Sequence, residues 1–497
     1  MRTRHHPRGS IFGKFLIAAA LAFILFIALV VWAAWSAATA KPMGAIVDYG
    51  AEMQRVVAEA QPPGTNAWPE IIAAADLMAI LRTEAEAAIQ ADPATPGYTD
   101  RYSIDFDALV DTSWQADLSA EDDNDRFSAE QTRVNAAMAT RALTSAESTD
   151  LFNLLDTIAA APRAVRPIQV DGPLINLLLP ELRNARDIAR LGAARAHLAA
   201  TAGDHAQAVR SIEHNLALAR HFRVQATLID HLVGLAIEAI TIEVIGDWLA
   251  NTSFPPSQET LAALAAVMDR QHSNHTVAQS IASESIWALD MIQWTHTPGG
   301  RAIPTAFSTV AGTPPGTLGL ALGGAPPAVA NLAGFIMPSA RETQRVLTEI
   351  YELLAEYAAT PRADREDIDA QLKQMLFSNW LAEAMIPAVS KAADTADLAH
   401  IHWNLTRTAI AIELHRARTG SLPATLADLT EPNAPNFTND PVTNDAQLHY
   451  SINTTQPTTF TLYSIGLDCT NDNATASPEP RRGEPGDIVW GQPADND

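Results

Sequence analysis

Histidines and carboxylates that fall together on helical stretches are the first residues of this chain able to do chemistry. His231, Glu238 and Glu243 lie along one apolar run, and His214 and His221 share a face of the segment before it. A histidine beside carboxylates can move protons or hold a metal ion. The spacing lacks the His-Glu-x-x-His pattern of a helical zinc site. Carboxylates inside an apolar helix need cations, because an unpaired buried charge is strongly destabilising. Arg220 and Arg223 are the nearest candidates, so these groups read as structural ion pairs and no residue is assigned a catalytic role. His272 and His275 stand one helical turn apart, with no acidic or cysteine ligand close in sequence. No Gly-x-Ser-x-Gly elbow occurs, and Gly13-Lys14 lacks the loop of a phosphate-binding site.

The elements that carry these residues read as helices from about Pro42 to Ser390, a region dominated by alanine and leucine. Ser128 with Gln131, and Thr144 with Glu147, have the spacing of capping boxes. The acidic stretch Glu121 to Asp125 lacks the glycine and distal glutamate of an EF-hand and reads as a solvated loop. Ile188, Leu191, Arg195 and Leu198 recur at helical spacing; Gly203-Asp204 then breaks the pattern before Ala208, Ile212, Leu216 and Ala219. That predicts an antiparallel hairpin over 182–222, which resembles a single tetratricopeptide-type unit without the regular recurrence of a repeat array. A third helix, about Thr227 to Leu249, is nearly all apolar and is expected at the centre of the core. Residues 298–338 are broken by Pro314-Pro315, Gly323-Gly324 and Pro326-Pro327, and read as a loop packed on the helices or touching a bilayer surface. A final helix, about Ala396 to Arg418, sets Leu398, Ile401, Leu405, Ala409 and Ile412 on one side. After Gly420 the pattern changes to short strands at 448–453, 459–464 and 487–490.

The chain has 497 residues, of which 47% are hydrophobic, enough for a large core in two or three domains. Its 57 acidic residues exceed 33 basic ones, for a formal charge of -24. A surface of that sign repels phosphate backbones, which disfavours nucleic acid as a partner. The single cysteine, Cys469, excludes an internal disulfide. At the N-terminus Arg2, Arg4, Arg8 and Lys14 precede an uncharged run from Phe15 to Trp35. As a helix that run spans roughly 30 Å, enough to cross a bilayer, and Trp32 and Trp35 sit where indole rings favour the interface. The basic flank predicts the N-terminus inside and everything after Lys41 outside. A signal peptide cleaved after Ala40 is the competing reading.

One stretch of the last hundred residues is similar to a known family. Ile412 to Gly420, followed by Ser421-Leu422-Pro423, resembles the helix end of type II secretion major pseudopilins, and Thr425 to Leu429 fits the short helix after it. Asp440-Pro441 with Leu448 to Tyr450 resembles the family's turn and first strand, and Tyr463 to Asp468 and Asp487 to Trp490 resemble the two ends of its calcium loop. The resemblance covers about 390 to 490 and implies a small antiparallel sheet with calcium held by Asp468, Asp472 and Asp487. Asn471, Ser464 and the Leu467 carbonyl would be supporting oxygens, with Cys469 where the family has glycine. The family's leader is not matched, since Gly13-Lys14-Phe15 is followed only by apolar residues. The resemblance therefore implies a borrowed module rather than a pilus subunit.

The expected fold is mainly α. A cytoplasmic basic segment at 1–14 leads into a transmembrane helix at 15–36, a helical domain at 42–390 and an α+β module at 391–497. The expected function is a non-enzymatic interaction scaffold in a bacterial inner membrane, single-pass, with its bulk periplasmic and its partners other envelope proteins. An envelope hydrolase with its site on the central helices, or an apolar-ligand binder, is the alternative.

Overall fold

The hairpin shows how local sequence sets this architecture. Helices that we label α4 (Glu181–Thr201) and α5 (His205–Arg223) meet at Gly203, whose φ of 77° only glycine adopts without penalty. The Asp204 amide donates to Ala199 O at 2.8 Å and the Gly203 amide to Ala200 O, closing the carbonyl end of α4. The Asp204 carboxylate then accepts from the Gln207 amide and starts α5. Ile188 and Leu191 are buried as expected, whereas Leu198 is exposed and Arg195 lies over Phe152, because the helical stripe drifts off the packed face toward the turn.

The structure is a computed structural model that describes residues 31–33, 35–90, 143–251, 253–306, 331–378, 389–429, 437–444, 446–456, 458–480 and 484–491. It is mainly helical with one small antiparallel sheet. Before the hairpin come α1 (Tyr49–Glu59), α2 (Trp68–Gln90) and α3 (Ala146–Ala160). After it come α6 (Leu228–Ala250), α7 (Gln258–Gln271), α8 (Val277–Thr295), α9 (Ala340–Ala359), α10 (Glu366–Ser378) and α11 (Val389–Thr419). Apolar α6 is central, with buried residues in three separate hydrophobic clusters. The cap of α3 is Ser145, which accepts from the Ser148 amide, so the helix starts one residue later than a Thr144 cap would place it.

The long helix α11 joins the helical body to the sheet. Trp403, Ile410 and Leu414 pack against α7 and the hairpin, while Ala392, Ala396 and Ala399 pack with α8 and α9. The predicted face, Leu398, Ile401, Leu405, Ala409 and Ile412, meets Leu448, Leu462, Leu467 and Ile488 of the sheet and its loop. Strands β1 (His449–Ile452), β2 (Phe460–Ser464) and β3 (Ile488–Val489) pair in sequence order, with His449 opposite Tyr463 and Ser464 opposite Ile488.

Among the described residues no helix is long and apolar enough to cross a membrane. The predicted span 15–36 lies outside the described residues except at 31–33, 35 and 36, which are helical. The Ser128 box, the acidic stretch 121–125 and residues 307–330 of the Pro/Gly-rich loop also lie outside them.

Candidate functional site

Helix α6 brings two carboxylates into the core, and each has its own cation. Asp230, at the first turn beside the Thr227 cap, is fully buried and accepts both Arg166 nitrogens at 2.7 and 2.6 Å. Arg166 also reaches Glu181 at 2.7 Å and lies over the Trp68 ring. Two turns along, Glu238 accepts Arg223 Nη1 at 2.8 Å, so of the two expected cations Arg223 is the partner. Arg220 instead donates to Gln271 Oε1 and Ala161 O. Burial pushes the Glu238 carboxyl upward and Arg223 pulls against it. Glu243 does not join them: five residues further on, it has turned about 140° around the helix and is exposed. His231, Glu238 and Glu243 therefore do not form a common site.

Around Arg223 the structure assembles histidines that lie far apart in sequence. His231 Nδ1 sits 3.0 Å from Arg223 O and 3.0 Å from Ser280 Oγ. Ser280 Oγ is in turn 3.1 Å from His275 Nε2, and Arg223 Nη2 donates to His275 O at 3.2 Å. The Arg223 carbonyl can only accept, so His231 Nδ1–H donates to it and to Ser280 Oγ, while the Ser280 hydroxyl either donates to His275 Nε2 or accepts its proton. His272 packs against Trp403, with ring centroids 5.0 Å apart. It is not one helical turn from His275, because α7 ends at Gln271 and the chain continues extended.

Burial is the main cause that keeps these rings neutral, with the Arg223 charge second. It lowers His272 and His275 to about 4 and His400 to about 3, and pushes His231 well below its ordinary value. A serine between two imidazoles has the ingredients of a nucleophile and base. Here both Ser280 and His231 have no exposed surface, so neither meets water or a substrate in this conformation. His214 and His221 dock α5 on α3: His214 Nε2 is 2.7 Å from Asp156 Oδ1 and His221 Nε2 3.0 Å from Ile158 O.

The C-terminal loop expected to hold calcium is closed by protein donors. Buried Asp487 accepts the Asp472 amide at 3.2 Å and the Ala474 amide at 2.7 Å, and Asp468 accepts the Thr470 and Gly486 amides. The Leu467 carbonyl accepts the Arg362 guanidinium, and Ser464 donates to Asp440 Oδ1 at 2.9 Å. Burial and the nearby Asp472 and Asp468 raise the Asp487 carboxyl, while the two amides lower it. Among the described residues no three His, Cys, Asp or Glu side chains are placed to hold a metal ion. The donor chemistry is right for a hard cation, but as arranged these oxygens do not fit one, since most already accept a hydrogen bond from a backbone amide or a guanidinium. Cys469 has φ 55°, the left-handed region that glycine favours, and it is half-buried against the module's core.

Sequence spacing could not find Ser280 or Asp230, whose partners His231 and Arg166 are 49 and 64 residues away. The one local signal was Thr227 three residues before Asp230, the pattern of a helix cap. Comparison with family models, with curated proteins and with solved structures gives no match.

Proposed function

We propose that the protein is a membrane-anchored, extracytoplasmic interaction scaffold of a bacterial envelope, with a pseudopilin-like module carried on its last helix. The observation that supports this most is how firmly the module is held. Helix α11 contributes to two hydrophobic clusters of the helical body and to the core of the sheet. A second tie comes from the turn Arg362–Asp364: Arg362 reaches Leu467 O and Asp394, and the Ala363 amide donates to Val442 O at 3.1 Å. Arg365 grips Asp397 of α11 through two bonds of 2.6 and 2.9 Å. A docking module fixed in this way avoids the entropy cost of ordering it against its own body on binding. The non-enzymatic part of the reading rests on the central helices, where the reactive group types are enclosed and bonded to each other. The anchor rests on the apolar run Phe15 to Trp35 and its basic flank. Calcium is no part of the proposal, because the carboxylates that the resemblance assigns to it accept backbone amides instead.

One observation favours a hydrolase instead, namely Ser280 between His231 and His275. That reading needs the shell around Ser280 to open. Cross-linking of the full-length protein in intact cells, before membranes are solubilised, separates the two. A scaffold gives discrete covalent adducts with other envelope proteins through the C-terminal module. Absence of adducts, together with labelling of Ser280 by a fluorophosphonate, would move the function to hydrolysis.

A further inference from the structure

The largest exposed apolar side chains around the first described residues gather on one ledge. Trp32 is 55% exposed, Trp35 66% and Ile336 90%. Trp32 packs at a tilt against Phe335, with ring centroids 5.8 Å apart, and Leu332 is exposed one turn before Phe335. The ledge is fixed to the body from beneath. Arg301 donates to Ser36 O at 2.9 Å with its guanidinium over the Phe335 ring, and Asn331 donates to Ala37 O. Gly334 sits so close to the Ala302 backbone that any side chain there would collide with it. The apolar side chains are thus held outward by the packed core rather than swinging on a loop.

We infer that this ledge is a membrane-contact face: Trp32, Trp35, Leu332, Phe335 and Ile336 lie in the headgroup region of a lipid bilayer, holding the helical body down against the membrane. The inference rests on the membrane-anchored reading and extends it, because an anchor alone would let the body hang free. Three observations select lipid as the occupant. The uncharged run from Phe15 leads in sequence to Trp32 and Trp35, so the ledge directly follows the segment read as the span. Tryptophan is the residue that the interface favours, and isoleucine and phenylalanine beside it supply the buried apolar area. The charge of the surroundings also fits. In a chain of net charge -24, Arg301 lies under the ledge, and two exposed cations follow or precede residues bonded near it. Lys41 precedes Met43, whose amide donates to His296 O, and Arg341 follows Ala340, whose amide donates to Gly300 O. The adjacent acid Glu342 is engaged by Arg345. Cations at that level suit anionic headgroup phosphates.

The test uses the full-length protein in vesicles of phosphatidylcholine and phosphatidylglycerol. Cys469→Ser removes the only thiol, and a nitroxide is attached at Ile336→Cys, at Leu332→Cys as an independent reading of the same ledge, or at Thr455→Cys in the exposed β1–β2 turn. Collision with oxygen, which concentrates in lipid, is compared with collision with a water-soluble nickel chelate. The inference predicts oxygen accessibility severalfold above that of the chelate at 336 and 332, and the reverse at 455. Protein that floats with the vesicles while 336 and 332 report water would overturn the ledge and leave the anchor standing. Protein that fails to float overturns both. Labels shielded from both probes, with spin–spin broadening, would show a second copy on the ledge in place of lipid.

Discussion

Lowering the pH from 7 to 5 should loosen this protein through its buried histidines. His221 and His400 titrate at about 3 in the folded chain, and His272 and His275 at about 4, against an ordinary value of 6.5. Their folded values lie below the unfolded one, so unfolding takes up protons. The stability they contribute is complete above about 6.5 and is lost as pH falls through the window down to about 3. Each costs about 1.4 kcal/mol per pH unit inside that window, so the fall from 6.5 to 5 removes about 2 kcal/mol per ring. Four rings give an upper bound of about 8 kcal/mol. Solvent reaches His272, His275 and His400 in part, which screens them. Glu238, Glu284, Asp397 and Asp440 are raised by burial, so their contribution has the opposite sign and grows toward low pH. The net loss expected therefore lies below that bound. Urea unfolding of the full-length protein in detergent, followed by far-ultraviolet circular dichroism at pH 7, 6 and 5, measures it. His400→Gln should reduce the pH dependence by up to about 2 kcal/mol between pH 6.5 and 5. A midpoint that is constant or rises toward pH 5 would refute the enclosed, neutral histidine centre.

Three further outcomes follow from named contacts. Glu238→Ala strands the Arg223 cation in the core and should cost about 3–5 kcal/mol in unfolding experiments, whereas Arg223→Met with Glu238→Leu should cost much less; equal losses would show that the pair is not enclosed. Gly234→Ala places a methyl 2.8 Å from the Ala219 carbonyl and 2.9 Å from the Arg223 amide, and should cost about 1–3 kcal/mol by forcing α5 and α6 apart, read as a lower urea midpoint. The donors that close the C-terminal loop predict the same thermal midpoint in calcium and in chelator; a calcium-dependent rise that Asp468→Ala abolishes would restore the cation implied by the resemblance.

The elements were legible wherever a local rule sets them. Gly203-Asp204 announces a hairpin because a left-handed residue and a cap occur together, and the five apolar residues from Leu398 to Ile412 mark the face that meets the sheet. The three strands lie within a residue or two of their expected bounds, since β-branched and aromatic residues alternate with turn residues there. The centre was not legible. Arg223 and Glu238 are adjacent on packed helices and their pairing could be anticipated, but Ser280 and His275 reach His231 from α8 and the extended segment before it. Tertiary packing alone makes them neighbours. Glu243 misled because an apolar run of uniform composition hides the angle at which each polar residue emerges. The calcium expectation compared residue types along the loop; the carboxylates' actual partners are backbone amides, which every sequence has.

The side of the membrane on which the body lies is the claim that the scaffold and the ledge both depend on. Arg2, Arg4, Arg8 and Lys14 before Phe15 predict an orientation with the N-terminus inside. A reporter enzyme that is active only outside the cytoplasm, fused after Asp497 of the full-length chain and expressed in bacterial cells, reads the orientation directly. The account predicts an active reporter that stays with the membrane fraction. An inactive reporter on an intact, membrane-bound fusion would contradict it.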